Sequence, residues 1–257
     1  MAPVSSVAPQ PEATCCPVVE LRQYILHPGQ RDAMIDLFDR ELVESQEDVG
    51  IWVIGQFRDL DRPDRFVWLR GFPDMISRAF ALGAFYDDGP VWAAHRAAAN
   101  ATMIDSDDVL LLRPAHPQSG FVLPFGGTRP PREARGNGPG FMAVTLCPLR
   151  PSAEFDATSF YVKHLKPTLA EFGGDRTACF VTEPATNTYP RLPVREGENM
   201  LAWFTLFGDE DAYRRHREAA GRSTRWREEI LGPLQPLLAG PIETLRLIPT
   251  ARSQLHG

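Results

Sequence analysis

The chain has 257 residues, a formal net charge of −6, 43% hydrophobic residues and 23% charged residues. This length fits one large domain or two small ones, and the composition is that of an ordinary globular protein. The acidic balance and the scattered basic residues argue against a nucleic-acid partner. No run approaches 18 apolar residues, so we expect no membrane-spanning segment.

The four cysteines and the N-terminal residues indicate the cellular compartment in which we expect the protein. No C-x-x-C pair occurs, so we predict neither a zinc site nor a redox pair, and a reduced cytoplasmic setting fits best. Residues 1–17 have no basic region and no continuous apolar core, which argues against a secretory leader. Because they are rich in Pro, Ala, Ser and Val, we expect a disordered tail there.

The first half of the chain reads as β-α-β-β-α-β in chain order. Apolar spacing and turn residues separate the elements, and Pro90 sits where the first turn of a helix favours proline. The predicted strands are 18–26, 51–57, 66–72 and 109–113. The first helical element is predicted at 30–46, and the second consists of two pieces, 73–86 and 90–103, separated by a break at 87–90.

The second half repeats this order. The predicted strands are 141–146, 176–182, 200–207 and 243–248, and the predicted helical regions are 155–172 and 209–238. Local matches support the repeat, because Trp68 and Phe72 are spaced like Trp203 and Phe207. Self-similarity of this kind is the signature of a duplicated unit.

Two such repeats predict an α+β fold in which ferredoxin-like βαββαβ units pair within one chain as a pseudo-dimeric α/β barrel. Each unit leaves one sheet face bare, and pairing buries those faces. We place repeat 1 at 18–115, a Gly/Pro-rich linker at 116–140, repeat 2 at 141–250 and a tail at 251–257. The apolar run 121–125 inside the linker could be a lid, although simple docking on the surface is the preferred interpretation.

Seven short segments of repeat 1 form a recognisable set of motifs, at 20–24, 28–29, 53–57, 66–72, 89–96, 99–103 and 109–114. Through these segments, repeat 1 resembles the NIPSNAP family of dimeric α/β-barrel proteins, while repeat 2 lacks the family's motifs. The resemblance implies a barrel with a ligand pocket and leaves the reaction open, because the wider superfamily includes monooxygenases, haem-degrading enzymes, dehydratases and isomerases.

Strand alternation then predicts which side chains face the cavity. If the small aliphatic faces pack on the helices, the barrel interior receives polar and aromatic side chains from repeat 1, facing a mostly apolar wall from repeat 2 that includes Trp203. We therefore expect one site, lined mainly by residues 20–100. The predicted interior set is Glu20, Arg22, Tyr24, Trp52, Gln56, Trp68 and Arg70.

The catalytic candidates are Glu20, Arg70 and His95. Arg70 and Arg22 would hold an anionic or enolate oxygen, and Glu20 or His95 would move a proton. Tyr24, Gln56, Trp52, Trp68, Trp92 and Trp203 complete the predicted substrate-binding set. Against these roles, Glu20 and Arg22 could simply form an internal ion network, and a lone helix histidine is more often structural.

The leading hypothesis is thus an enzyme without a bound cofactor that acts on a small carbonyl- or carboxylate-bearing metabolite, of monooxygenase, isomerase or dehydratase type. The first alternative is a non-catalytic protein that carries a metabolite or haem, with His95 as the haem ligand. The second is a dimerisation module with a sealed interior. No metal, nucleic-acid or membrane partner is expected, and a homo-oligomer stays open.

Overall fold

The computed structural model describes residues 14–123, 129–151 and 155–256. Each half contributes four strands, and the ends lie within a few residues of the predicted ones except that β4 begins six residues earlier, at Met103. The strands are β1 (Val18–Leu26), β2 (Trp52–Asp59), β3 (Arg65–Phe72), β4 (Met103–Pro114), β5 (Phe141–Pro148), β6 (Thr177–Thr182), β7 (Met200–Phe207) and β8 (Glu243–Pro249).

The helices follow the same repeat. Three helical regions contain a π-helical turn, at Phe38–Leu42, Tyr161–Leu165 and Trp226–Leu231, and Gln235–Leu237 is a 3₁₀ turn. In the described ranges, no helix is long and apolar enough to cross a membrane. The α-helices are α1 (Arg31–Leu37), α2 (Val43–Glu47), α3 (Met75–Tyr86), α4 (Pro90–Thr102), α5 (Ala157–Phe160), α6 (Lys166–Glu171), α7 (Glu210–Arg222) and α8 (Gly232–Leu234).

The eight strands close into one antiparallel barrel in the order β1-β3-β2-β8-β5-β7-β6-β4. Within the first half the sheet runs β4-β1-β3-β2, and within the second β6-β7-β5-β8. The two halves join where β2 pairs with β8 and where β4 pairs with β6. The chain therefore forms the predicted pair of ferredoxin-like units closed into one α/β barrel.

Apolar side chains from both halves fill the barrel interior. Leu21, Leu69, Val144 and Phe204 belong to one buried cluster that draws on all eight strands. A barrel of eight strands is just wide enough for its inward side chains to fill, so it is a packed core. The predicted polar inner wall is therefore wrong: the small aliphatic faces point inward, and the charged faces point toward the helices.

Other segments of the chain pack against this interior. Phe121 lies 4.8 Å from Phe180 and 5.1 Å from Phe204 between ring centroids, and Leu123 is buried with them. The apolar run of the linker therefore inserts into the core and does not dock on the surface, although 124–125 lie outside the described residues. Cys15 and Cys16 are also buried in this core, so the predicted tail does not extend to them.

Gly71 shows how closely the N-terminal segment packs on the barrel. A Cβ added there would lie 2.3 Å from Cys16 Sγ. We expect Gly71→Ala to lower the free energy of unfolding by about 1–3 kcal/mol, the usual cost of overpacking. Chemical denaturation would measure this. Gly208→Ala is the control, because nothing lies within 4 Å of its added Cβ; equal stability of the two variants would contradict the packing.

Candidate functional site

The polar residues of β1 and β3 meet on the helix side of the first half. Both oxygens of the Glu20 carboxylate are engaged by arginines. Oε2 accepts from Arg22 Nη1 at 2.6 Å and from Arg70 Nε at 2.7 Å, and Oε1 accepts from Arg78 Nε at 2.7 Å. All four side chains are at most 1% exposed. The ion network considered for Glu20 and Arg22 therefore also includes Arg70 from β3 and Arg78 from α3, and Arg78 was not among the predicted site residues.

This arrangement fixes the charge on Glu20. Burial alone would raise the pKa of the Glu20 carboxyl, but the charges of Arg70, Arg22 and Arg78 outweigh it and hold the pKa well below its usual range. A carboxylate so strongly ionised, with both oxygens in charge-assisted hydrogen bonds, is a poor acceptor for a substrate proton at neutral pH. Glu20 therefore orients the arginines.

A segment of the second half covers this network. Residues 183–199, between β6 and β7, place Asn187 Oδ1 at 3.0 Å and Thr188 Oγ1 at 3.2 Å from Arg78 Nη1. Tyr189 donates its hydroxyl hydrogen to Asp87 Oδ2 at 3.0 Å. Residues of the second half thus help to cover the arginine network of the first half.

Aromatic side chains surround the arginines. Tyr24 Oη accepts from Arg22 Nε at 3.0 Å, and the guanidinium carbons of Arg22 and Arg70 lie 5.6 Å and 5.1 Å from the Trp68 ring. The cavity beside them, which Trp92 also lines, measures only about 20 Å³. That volume holds about one water-sized particle and excludes a metabolite in this conformation.

Three predicted site residues lie away from this network. Trp52 is 40% exposed at the start of β2, so it lines no interior wall. Gln56 is buried on the helix side, and neither amide atom has a hydrogen-bond partner among the described residues. His95 is one-third exposed on α4, with Nε2 3.8 Å from a Glu41 oxygen. No geometry here joins His95 to the arginines.

The second half contains a larger cavity in the equivalent layer, between its sheet and its helices. It measures about 220 Å³. An apolar cavity of about 150 Å³ is enough to bind benzene, so one substituted ring fits here. Its lining includes Ala143, Thr145, Trp203, Thr205, Tyr213, His216, Arg217, Ala220 and Trp226.

Strand register explains why this space exists. Glu20 pairs with Arg70, and Arg22 with Trp68, across β1 and β3; Ala143 pairs with Thr205, and Thr145 with Trp203, across β5 and β7. Since Trp68 and Trp203 occupy equivalent places, the large charged side chains of the first half are replaced in the second by alanine and threonine.

The helices α3 and α7 show the same difference between large side chains in the first half and small ones in the second. Asp74 and Asp209 each cap their helix by accepting from the backbone N–H three residues on, and each lies two residues after the final Phe of its strand. Counting from these caps, Phe85 corresponds to Ala220 and Tyr86 to Gly221. Small residues thus replace large ones on both walls of the cavity.

His216 is the titratable group best placed in this cavity. It corresponds to Ala81 of the first half, is 6% exposed, and has Nδ1 3.0 Å from the Phe172 carbonyl oxygen. The carbonyl can only accept, so Nδ1 carries the hydrogen and Nε2 keeps its lone pair. Burial lowers the pKa of His216, and nearby Arg217 lowers it further. The ring is therefore neutral at pH 7.

No protein hydrogen bond to His216 Nε2 is found within the described part of the chain. The neighbouring polar groups are the hydroxyls of Thr145 and Thr205 and the exposed Arg217 at the rim. The cavity therefore combines apolar walls with one hydrogen-bond acceptor and a peripheral positive charge, which is the usual character of a small-molecule site.

Neither haem nor a metal ion matches these surroundings. The cavity of about 220 Å³ is smaller than the 300–1,000 Å³ typical of sites for drug-sized ligands. Haem is at least as large as a drug-sized ligand, so it does not fit in this cavity. In the ranges described, no three His, Cys, Asp or Glu side chains are grouped so that they could hold a metal ion.

A wider groove of about 770 Å³ lies outside the junction of β4 and β6. Among its polar residues, Arg195 and Glu198 pair with each other at 2.6 Å, and both are about one-third exposed. Solvated pairs of this kind need no ligand. We therefore place the candidate site in the cavity of the second half that His216 lines, and not in this groove.

Comparison with known proteins supports the architecture. No protein-family model and no curated protein matches the chain. Among solved structures, the chain is similar to a proposed monooxygenase from Fusobacterium nucleatum, with 10% identity, 94% of this chain and 96% of that chain covered, and a TM-score of 0.56. A proposed monooxygenase from Lactobacillus acidophilus matches at 13% identity, with 93% and 97% covered and a TM-score of 0.54.

The similarity to a solved NIPSNAP structure extends over only part of the chain. A NIPSNAP family protein from Agrobacterium tumefaciens matches at 21% identity, covers 38% of this chain and 91% of its own, and has a TM-score of 0.35. Identities this low show the shared fold of the whole-length neighbours and do not transfer a reaction.

Proposed function

We propose that the chain is a cofactor-independent enzyme that binds a small enolisable or phenolic carbonyl compound in the cavity of its second half. The observation that carries the proposal is His216, which lines an apolar cavity large enough for one ring and whose Nδ1, not Nε2, is engaged by the Phe172 carbonyl. The monooxygenase-like neighbours share this fold, whereas the proposed reaction type rests on the residues of the site.

The first chemical step is a proton transfer. His216 Nε2 takes the proton of a substrate hydroxyl, or of a carbon beside a carbonyl, and becomes an imidazolium while the substrate becomes a phenolate or enolate. The Thr145 hydroxyl can donate to the new oxyanion, and Arg217 adds positive charge at the rim. Isomerisation, dehydration and reaction with O₂ all begin from such an anion.

Binding of a single-ring phenol tests the site directly. We expect 4-nitrophenol to bind, and Ala220→Phe to weaken binding at least tenfold because the new ring occupies the cavity. The first half already packs Phe85 at the equivalent place, so this variant should fold. Isothermal titration measures the dissociation constants.

Ala94→Phe, on the exposed face of α4, is the matched control and should bind like the wild type. Unchanged affinity in Ala220→Phe would overturn the proposed site. Binding without turnover across a panel of enolisable carbonyl compounds would instead support the second candidate, a non-catalytic carrier, which the apolar walls formed by Trp203 and Trp226 also favour.

A further inference from the structure

A further cavity lies at one end of the barrel, where strands of the second half begin and end. The start of β5 and the start of β6 both lie beside the end of β7, because Met142 pairs with Leu206 and Ala178 pairs with Phe204. The cavity measures about 380 Å³, within the roughly 300–1,000 Å³ usual for sites of drug-sized ligands. The mouth of a barrel is also a common place for such sites.

This barrel-end cavity and the His216 cavity lie on opposite faces of the same sheet. Side chains alternate along β7, so Phe204 and Leu206 point into the barrel while Trp203 lies on the helix side. The two cavities have no lining residue in common among the described residues. The barrel-end cavity is therefore a separate site.

Buried apolar side chains form the floor of the barrel-end cavity. They come from β5, β6 and β7, from the linker and from the C-terminal tail, and they are Phe121, Met142, Ala178, Phe204, Leu206 and Leu255. Its volume is more than twice the roughly 150 Å³ of an apolar cavity that binds benzene. The floor can therefore take a hydrocarbon body longer than one ring.

Two basic side chains stand at the rim of this cavity. Lys166 at the start of α6 and Arg176 just before β6 both line it, and both are exposed. Within the described residues neither forms an ion pair, and Arg176 Nη2 donates only to the His256 carbonyl oxygen, at 3.3 Å. Asp175 is the one carboxylate among the described lining residues, so the rim is positive on a chain whose net charge is −6.

An apolar floor beneath a positive rim matches an amphipathic anion. A carboxylate at the rim is attracted to the Lys166 ammonium and the Arg176 guanidinium, while a hydrocarbon body displaces water from the floor. A cationic ligand would be repelled by the same rim, and a wholly polar anion would gain nothing from the floor.

We propose that the barrel-end cavity binds a monocarboxylate with an extended hydrocarbon body, such as a medium-chain fatty acid. The site goes beyond the proposed function and does not depend on it, since it shares no described lining residue with the His216 cavity.

Isothermal titration with octanoate tests the rim. We expect wild type to bind octanoate more tightly than octanol, and the double variant Lys166→Gln/Arg176→Gln to bind octanoate about tenfold more weakly, because two favourable charges near the surface are lost. Lys163→Gln is the matched control, since Lys163 is exposed three residues earlier and does not line the cavity. No binding at millimolar octanoate, or equal affinity in wild type and the double variant, would overturn the proposal.

A cavity-filling variant tests the floor. Ala178→Leu should weaken octanoate binding because the larger side chain occupies part of the cavity, whereas Ala170→Leu on the exposed face of α6 should not. If Ala178→Leu does not fold, the rim variants still decide, because their exposed positions leave the core intact. Ala220→Phe should bind octanoate like wild type, and loss of binding there would place the fatty acid in the His216 cavity and contradict the separate site.

Discussion

Replacing Glu20 with Gln is expected to lower the free energy of unfolding by about 3–5 kcal/mol, because it leaves three buried guanidinium groups without their shared carboxylate. The glutamine keeps the shape of the side chain, but it removes the charge and replaces one of the two acceptor oxygens with an NH₂ donor that faces arginine N–H groups. The effect therefore reports electrostatics and hydrogen bonding and not a change in packing volume. Urea denaturation monitored by tryptophan fluorescence measures it. The barrel depends on this contact because Glu20 joins β1 to β3 and to α3.

A double variant distinguishes the loss of a specific ion pair from general misfolding. Arg78→Met alone should be destabilising, but Glu20→Gln combined with Arg78→Met should cost less than the sum of the two, since one excess charge is removed with the carboxylate. Glu218→Gln is the control, because its partner Arg222 is 4.0 Å away and both are exposed. A Glu20→Gln protein within about 0.5 kcal/mol of wild type would refute the network's role.

His216→Asn is expected to lower turnover about 10²–10⁴-fold, the usual contribution of a positioned general base. The asparagine amide can still donate to the Phe172 carbonyl in place of Nδ1–H, while no acceptor remains in place of Nε2. The measurement is kcat on whichever enolisable substrate is turned over by wild type and not by Ala220→Phe.

The pH profile separates a base from a structural histidine. Burial and Arg217 lower the pKa of His216. As the pH is lowered, activity should therefore persist to values below the usual pKa of histidine and fall only when Nε2 becomes protonated. His164→Asn is the matched control, since His164 is 40% exposed and lies beside Glu229. Equal loss in both variants, or an unchanged pH profile in His216→Asn, would argue against the assignment.

The fold was accessible from the sequence because both signals that define it are local. Alternating strands and helical spacing repeat in the same order, and β1, β7 and the span of α3 lie at or near their predicted positions. The faces of the strands were harder to assign. Both faces of β3 are fully buried, so alternation identifies two faces without saying which one meets the helices.

The site illustrates the same limit. Glu20, Arg22, Tyr24, Trp68 and Arg70 do lie together, but on the helix side of the sheet and not in the predicted barrel interior, and their own bulk leaves no room for a metabolite. The cavity arises where the second half has small residues, and small residues such as Ala143 and Ala220 attract no attention in a search for chemistry. The repeat alignment could have found them by comparing Phe85 with Ala220.

Nothing in the sequence around His216 indicates burial, and the structure nevertheless buries it. Its burial depends on Phe172, which lies 44 residues earlier in the chain, and on Phe207 at the end of β7. The contact with Phe172 leaves no local pattern in the sequence. The cavity that His216 lines exists only once the second sheet and α7 are packed together.

A crystal structure of the protein with 4-bromophenol tests the central claim most directly. The bromine anomalous signal should lie between Trp203 and α7, with the phenol oxygen within hydrogen-bond distance of His216 Nε2. The same signal inside the barrel, or against the arginines of the first half, would contradict the assignment of the ligand cavity to the second half.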